Sequence, residues 1–338
     1  MKTKISNLPV DLLEEILSRV PVKSIGAVRS TCKNWNVLSK DQRFANKHIE
    51  KAAASQRDKE ILVITVNTKD DLISLSQAVS VHHVFYCNGL LLCLWRGIKR
   101  GFVVCNPYWG KRRWIICPTE RWYEMFAFGY DKSCRIHKIL RLSKDDNIVI
   151  HIDIYDLSSD SWKTPDVAFH SNVIDYTEAS LSLKGNTYWL AYDKESGDGF
   201  LHCFDFTRER FGLRLPLPFG FTYGCNVSLS SVREEKLAVL LKQFAIIDVW
   251  VTDKIEPDAV SWSKLFKVQL NCRFLFGSFL INEEKKTFVV FDNCCRSYII
   301  DGESGDTYIR EVEKIEAPYV RLDNLVGCYV PSSVQIFS

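Results

Sequence analysis

Five residues that could do acid or amide chemistry recur along the chain: Asn106, Asp156, Asp205, Asp253 and Asp301, at intervals of 50, 49, 48 and 48 residues. Carboxylates brought together in pairs serve as acid and base in glycoside hydrolysis. Here each one ends an apolar run and is followed by an aromatic: Trp114, Trp162, Phe211, Trp262 and Tyr308 in turn. That context suits the opening of an Asx-type turn better than catalysis. His82-His83 and Cys294-Cys295 are adjacent pairs whose side chains point to opposite faces of a strand, a poor arrangement for a metal. No Gly-x-x-x-x-Gly-Lys loop, Gly-x-Ser-x-Gly elbow or His-Glu-x-x-His pair occurs. The expectation is a non-enzymatic protein with no metal and no cofactor. An enzyme such as a glycosidase is the alternative.

A repeat of this length fits one four-stranded β-propeller blade. The Asn or Asp ends the third strand, and the aromatic begins the fourth and packs between neighbouring blades. Ile148, Ile150, Ile152 and Ile154 share one face of a strand, and Val149, His151, Asp153 and Tyr155 share the other. Five registers are visible. Residues 61–86 and 313–338 flank them and are expected to complete a sixth blade, which leaves no free sheet edge. Five blades are the alternative.

Residues 1–60 differ in charge and in period. They carry 12 Lys+Arg against 7 Asp+Glu, within a chain of net charge +3. That balance suits an acidic partner, and the total is too small to indicate nucleic acid. Between Pro9 and Pro21, the residues Leu12, Leu13, Ile16, Leu17 and Val20 fall at helical spacing. A second short helix carries Val22, Ile25 and Val28. A third carries Cys32, Trp35 and Leu38, with Ser30 as a candidate cap. A fourth starts near Asp41 with Phe44, His48 and Ile49 on one side. So few helical residues rarely bury enough surface to fold alone. The surplus apolar side chains must cover another domain or another protein, which predicts a docking module.

The string Leu8-Pro-Val-Asp-Leu-Leu-Glu-Glu-Ile-Leu-Ser-Arg-Val-Pro-Val-Lys-Ser24, then Arg29-Ser-Thr-Cys-Lys-Asn-Trp35, then Phe44 and His48, closely resembles the F-box motif. The resemblance implies a helical hook on the acidic adaptor subunit of Skp–cullin–F-box ubiquitin ligases. Carried over, Leu8, Pro9, Leu12, Leu13, Ile16, Leu17, Val20, Pro21, Ile25, Val28, Cys32 and Trp35 bind the adaptor or hold the hook. Gly26, Ala27 and Gln42 depart from the usual pattern, and glycine inside a helix costs about 1 kcal/mol relative to alanine.

The remainder resembles the plant F-box-associated domain. The cues are Cys87-Asn-Gly-Leu-Leu-Leu92, Asn106-Pro107, Phe128-Gly-Tyr-Asp131, Tyr155-Asp-Leu-Ser-Ser-Asp-Ser-Trp162, Leu183-Lys-Gly-Asn-Thr-Tyr-Trp189 and Tyr329-Val-Pro-Ser332. The expected fold is therefore mainly β with a small all-α N-terminal module. An F-box (1–50) and a helical linker (51–60) precede a β-propeller-like domain (61–338) of about six four-stranded blades, with five as the alternative.

The implied function is substrate recognition: adaptor and cullin–RING scaffold on one side, an unidentified target protein on the other. A non-ligase or inactive adaptor-binding relative is the second reading. Trp109, Arg121, Trp122 and Tyr123, an aromatic and Arg set, are the candidates for target contact. No run approaches the about 18 apolar residues of a membrane helix. The 12 cysteines include no Cys-x-x-Cys pair, and no secretory signal is seen, so free thiols in nucleus or cytoplasm are expected.

Overall fold

The computed structural model describes residues 9–21, 24–55, 80–96, 100–117, 123–145, 148–165, 174–221, 225–269, 276–292, 297–302, 310–312 and 334. Four helices come first: α1 (Val10–Leu17), α2 (Ile25–Thr31), α3 (Lys33–Leu38) and α4 (Gln42–Ser55). Pro9 stands at the N-cap of α1, where its missing N–H is no loss. The cap of α3 is Cys32, whose Sγ accepts from Trp35 N at 3.5 Å. Ser30, the expected cap, instead bonds back to Ala27 O within α2. Asp41 Oδ1 accepts from Arg43 N at 2.8 Å and Phe44 N at 3.2 Å and so opens α4.

Five antiparallel four-stranded sheets follow. Blade 1 holds β1 (Ser80–Cys87), β2 (Leu90–Arg96), β3 (Arg100–Asn106) and β4 (Lys111–Ile116). Blade 2 holds β5 (Tyr123–Asp131), β6 (Ile136–Asp145), β7 (Ile148–Asp156) and β8 (Ser161–Lys163). Blade 3 holds β9 (Ile174–Leu183), β10 (Asn186–Asp193), β11 (Gly199–Asp205) and β12 (Arg210–Pro216). Blade 4 holds β13 (Asn226–Val232), β14 (Lys236–Gln243), β15 (Ile246–Glu256) and β16 (Ala259–Gln269). Blade 5 holds β17 (Phe276–Asn282), β18 (Thr287–Asp292), β19 (Ser297–Asp301) and β20 (Arg310–Val312). The first strands of neighbouring blades meet one another around the centre, so this is a β-propeller. Ser80–Cys87, expected in a sixth blade, is the innermost strand of blade 1. The rest of that expected blade, 61–79 and 313–338 apart from Val334, lies outside the described residues.

Apolar side chains fill the seams between blades. Leu92 and Phe102 meet Phe128 and Ile139 between blades 1 and 2. Leu140 and Ile154 meet Trp189, Phe204 and Phe206 between blades 2 and 3. Tyr188 and Leu201 meet Leu237 and Ile255 between blades 3 and 4, and Val249 and Phe266 meet Phe288 and Ile300 between blades 4 and 5. Full burial of each such side chain contributes about 1.5–3 kcal/mol. Gly129 lets the Phe206 ring lie on the β5 backbone, where a Cβ would meet it at 2.0 Å.

Three of the five expected Asx turns form, and the turn expected after Asp301 lies outside the described residues. Asn106 Oδ1 accepts from Tyr108 N at 2.9 Å. Asp156 Oδ1 accepts from Ser158 N at 2.7 Å, and Asp205 Oδ1 from Thr207 N at 2.9 Å. Asp253 does not open a turn. It lies inside β15, which runs on to Glu256, and accepts from Ser263 Oγ at 2.7 Å. Of the following aromatics, Trp162 packs against Phe102 of blade 1, and Trp262 Nε1 donates to Pro216 O of blade 3 at 2.9 Å. Trp114 remains 44% exposed rather than packed in a seam.

Candidate docking surfaces

Antiparallel hairpins put the first and third turns of each blade at one end and the second turn at the other. Contacts between blades show that the first kind share one face. Tyr130 N donates to Gly185 O, and Lys132 N to Thr207 Oγ1, joining turns of blades 2 and 3. Lys138 and Lys163 of blade 2 both reach Glu209 in the last turn of blade 3, at 2.8 and 2.7 Å. Arg208 reaches Asp258 at 3.3 Å, Arg233 reaches Glu284 at 2.9 Å, and Arg113 reaches Asp160 at 2.7 Å. These contacts define the near face of the propeller.

The helices sit on the near face of blade 1. Tyr108 and Trp109, in the turn from β3 to β4, join Leu17, Ile25, Phe44 and Ala45 in one buried cluster, with Val20, Val28, Trp35, Leu38 and Ile49 packed around it. The Arg29 guanidinium carbon lies 5.2 Å from the Tyr108 ring centroid and 5.5 Å from that of Trp109. Arg29 Nη1 donates to Tyr108 O, and its Nη2 to Ser39 O at 3.2 Å. His48 Nε2 donates to Val20 O at 2.6 Å, which leaves Nδ1 to accept from the Tyr108 hydroxyl at 3.0 Å. Burial lowers the His48 pKa and pushes that of Tyr108 up to about 12, so both groups stay neutral near pH 7.

The expected adaptor residues divide into three groups. Leu13, Leu17 and Ile25 are buried in the helical core. Val20, Val28, Cys32 and Trp35 are partly covered. Pro9, Leu12, Ile16 and Pro21 are exposed, with Leu12 at 52% and Ile16 at 47%. Leu8 lies outside the described residues. Val10 and Val37 are also exposed; the sequence reading missed both. The polar side of α1 is tied to α4: Lys51 Nζ lies 2.6 Å from Glu15 and Lys47 Nζ lies 3.8 Å from Glu14. The hydrogen bonds from Lys51 and Arg19 hold the Glu15 carboxyl below its usual range. The exposed apolar edge of α1 thus belongs to a helix fixed on its other sides.

Trp109, expected at a target surface, lies inside the molecule. It is 8% exposed and belongs to the seam between helices and propeller. Arg121 and Trp122 lie outside the described residues. Tyr123 opens β5 at the end away from the helices, its backbone paired with Lys144. That far face carries a residue not singled out from sequence, Phe244. It is 99% exposed in the tight turn between β14 and β15, at φ 53°. A side chain there sits in the left-handed region that favours Gly or Asn. Ile246 is exposed beside it.

Asp156 and Asp205 hold turns, the Oδ1 of each accepting from two backbone N–H groups. Among the described residues, no group of three or more His, Cys, Asp or Glu could hold a metal. No helix there is long and apolar enough to cross a membrane. Cys32, Cys87, Cys93, Cys105, Cys134 and Cys203 are free thiols.

Comparison with known proteins agrees with this division. The F-box domain family matches residues 5–47, and the F-box associated beta propeller domain family matches residues 38–336. An F-box protein of Arabidopsis thaliana is 44% identical, over 98% of this chain and 99% of its own length. An F-box/kelch-repeat protein of the same plant is 41% identical, over 98% of this chain and 100% of its own. Among solved structures, the Dos1 propeller aligns with a TM-score of 0.40 at 12% identity, over 70% of this chain and 61% of that one. Two separate stretches thus lead to one assignment: the chain belongs to the plant F-box proteins that carry a C-terminal F-box-associated β-propeller domain.

Proposed function

We propose that this chain is the substrate-recognition subunit of a Skp–cullin–F-box ubiquitin ligase. Its exposed α1 edge docks a Skp-type adaptor, and through it a cullin–RING scaffold. The far face of the propeller captures a target protein. The observation that carries this reading is Leu12 and Ile16, one helical turn apart and half exposed on a helix whose opposite side is core. The chain itself does no bond chemistry in this reading. Holding the target beside a charged ubiquitin-conjugating enzyme raises the effective concentration of its lysines. The reading places the protein in nucleus or cytoplasm. Phe244, in a turn away from the adaptor side, is the proposed capture point.

The test replaces both apolar contacts. A Leu12→Glu, Ile16→Glu double variant is expected to elute apart from purified adaptor on a sizing column at micromolar concentration, where the unaltered chain co-elutes. Its unfolding midpoint is expected to match that of the unaltered chain, since neither side chain is core. Co-elution of the double variant would remove α1 from the interface.

A further inference from the structure

The turn that receives the helices is itself held by the other end of the chain. Asn106 is fully buried and uses both ends of its amide. Its Oδ1 accepts from Tyr108 N at 2.9 Å, and its Nδ2 donates to Val334 O at 2.7 Å. Val334 also packs into the cluster between blades 1 and 2. From Tyr108 the contacts fan out to all four helices. Arg29 brings in α2 and, through Ser39 O, the end of α3. His48 brings in α4 and, through Val20 O, the chain just after α1. Two of the six buried residues in this helical cluster, Tyr108 and Trp109, come from the propeller. The F-box core is incomplete without blade 1.

We infer that the Tyr108–Trp109 turn is a positioning element for the adaptor-docking surface, and that Asn106 makes docking depend on Val334 being seated on blade 1. None of these residues touches the exposed edge at Leu12 and Ile16. They fix the helices that carry it. A chain in which Val334 has not reached Asn106 leaves Tyr108 N without its oriented acceptor and the helical cluster with a loosened floor. Such a chain presents a poorly formed edge, so the ligase scaffold is engaged mainly by molecules with a finished capture domain. The inference rests on the adaptor-docking reading above.

The test titrates full-length protein with a purified plant Skp-type adaptor by calorimetry at low temperature, with the folded fraction read by circular dichroism in the same sample. Trp109→Ala is expected to weaken binding about ten-fold, as truncation of a buried anchor does. Trp109→Phe is expected to restore most of that loss. Asn106→Asp keeps the acceptor for Tyr108 N but removes the donor to Val334 O and sets a buried carboxylate against that carbonyl, and a loss of at least about three-fold is expected. Tyr108→Phe removes only the hydroxyl facing His48, is expected to fold, and is expected to weaken binding by a similar factor. Amide exchange is expected to quicken over residues 10–50 while blades 3 to 5 keep their protection, which a general loss of stability would not produce. Binding by Trp109→Ala, Asn106→Asp and Tyr108→Phe within two-fold of the unaltered chain would overturn the inference and leave docking intact. Failure of the unaltered chain to bind overturns both.

Discussion

Phe244 stands outside the packed core. Its ring is almost wholly in solvent, and its backbone sits at φ 53°. A non-glycine side chain in the left-handed region costs about 1 kcal/mol or more, and Asn carries less of that penalty. Phe244→Asn is therefore expected to raise stability by up to about 1 kcal/mol, read as a higher urea midpoint at unchanged slope. The same variant is expected to leave adaptor binding unchanged and to weaken target capture. A lower midpoint would mean that the ring has packing partners in solution. Trp109 gives the opposite lesson. Both are aromatic residues in turns, and local sequence does not separate them. The partners that bury Trp109, such as Arg29 and Phe44, lie 80 and 65 residues away in the chain. Only the tertiary structure shows that one ring is floor and the other is exposed.

At the scale of the element, α2 carries an internal weakness. Gly26 lies in its first turn, exposed, with open space where a Cβ would be. Gly26→Ala is expected to stabilise the helical module by about 0.5–1 kcal/mol through helix propensity alone. Slower amide exchange over 25–31 would report it, and no change would mean that the helix is set entirely by the blade 1 seam. The four helices were legible in the sequence because their apolar spacing and flanking prolines are local signals. The blades were legible for a similar reason: an Asx turn needs only a side chain and the two or three residues after it. Asp253 shows where that signal ends. The β15–β16 hairpin is longer than the others, so the acid falls inside a strand. The turn beyond it holds Asp258, which takes Leu213 N of blade 3 at 3.2 Å. Period alone does not reveal a hairpin that has lengthened. Likewise, the helical pattern marked the apolar side of α1 but not which of its residues blade 1 would leave uncovered.

The whole molecule is expected to be sensitive to acid. His137 and His202 are buried, and burial lowers both pKa values to about 4 from the ordinary 6.5. His48 is shifted in the same direction. The unfolded chain therefore takes up these protons first. The stability they confer is complete above about pH 6.5 and drains away as pH falls toward 4, by up to about 1.4 kcal/mol per pH unit for each histidine. Below that window the carboxylates add to the loss. Burial raises the Asp131 and Glu209 pKa values, but hydrogen bonds from Lys138, joined by Ser133 at Asp131 and by Lys163 at Glu209, together outweigh it and hold both below their ordinary range. Their contribution is present above about pH 4.5 and disappears on further acidification. Urea midpoints at pH 7.5, 5.5 and 4.5 are expected to fall at each step. A flat profile between 7.5 and 5.5 would show that the histidines are hydrated in the native state.

The ion pairs that join one blade to the next, as far as both partners are described, all lie on the side where the helices sit. Those toward the opposite rim, Arg214 with Asp193 and Lys264 with Asp248, stay within one blade. Substitutions on that rim consequently leave the ion pairs between blades intact, whereas substitutions beside the helices disturb both those pairs and the attachment of the helices.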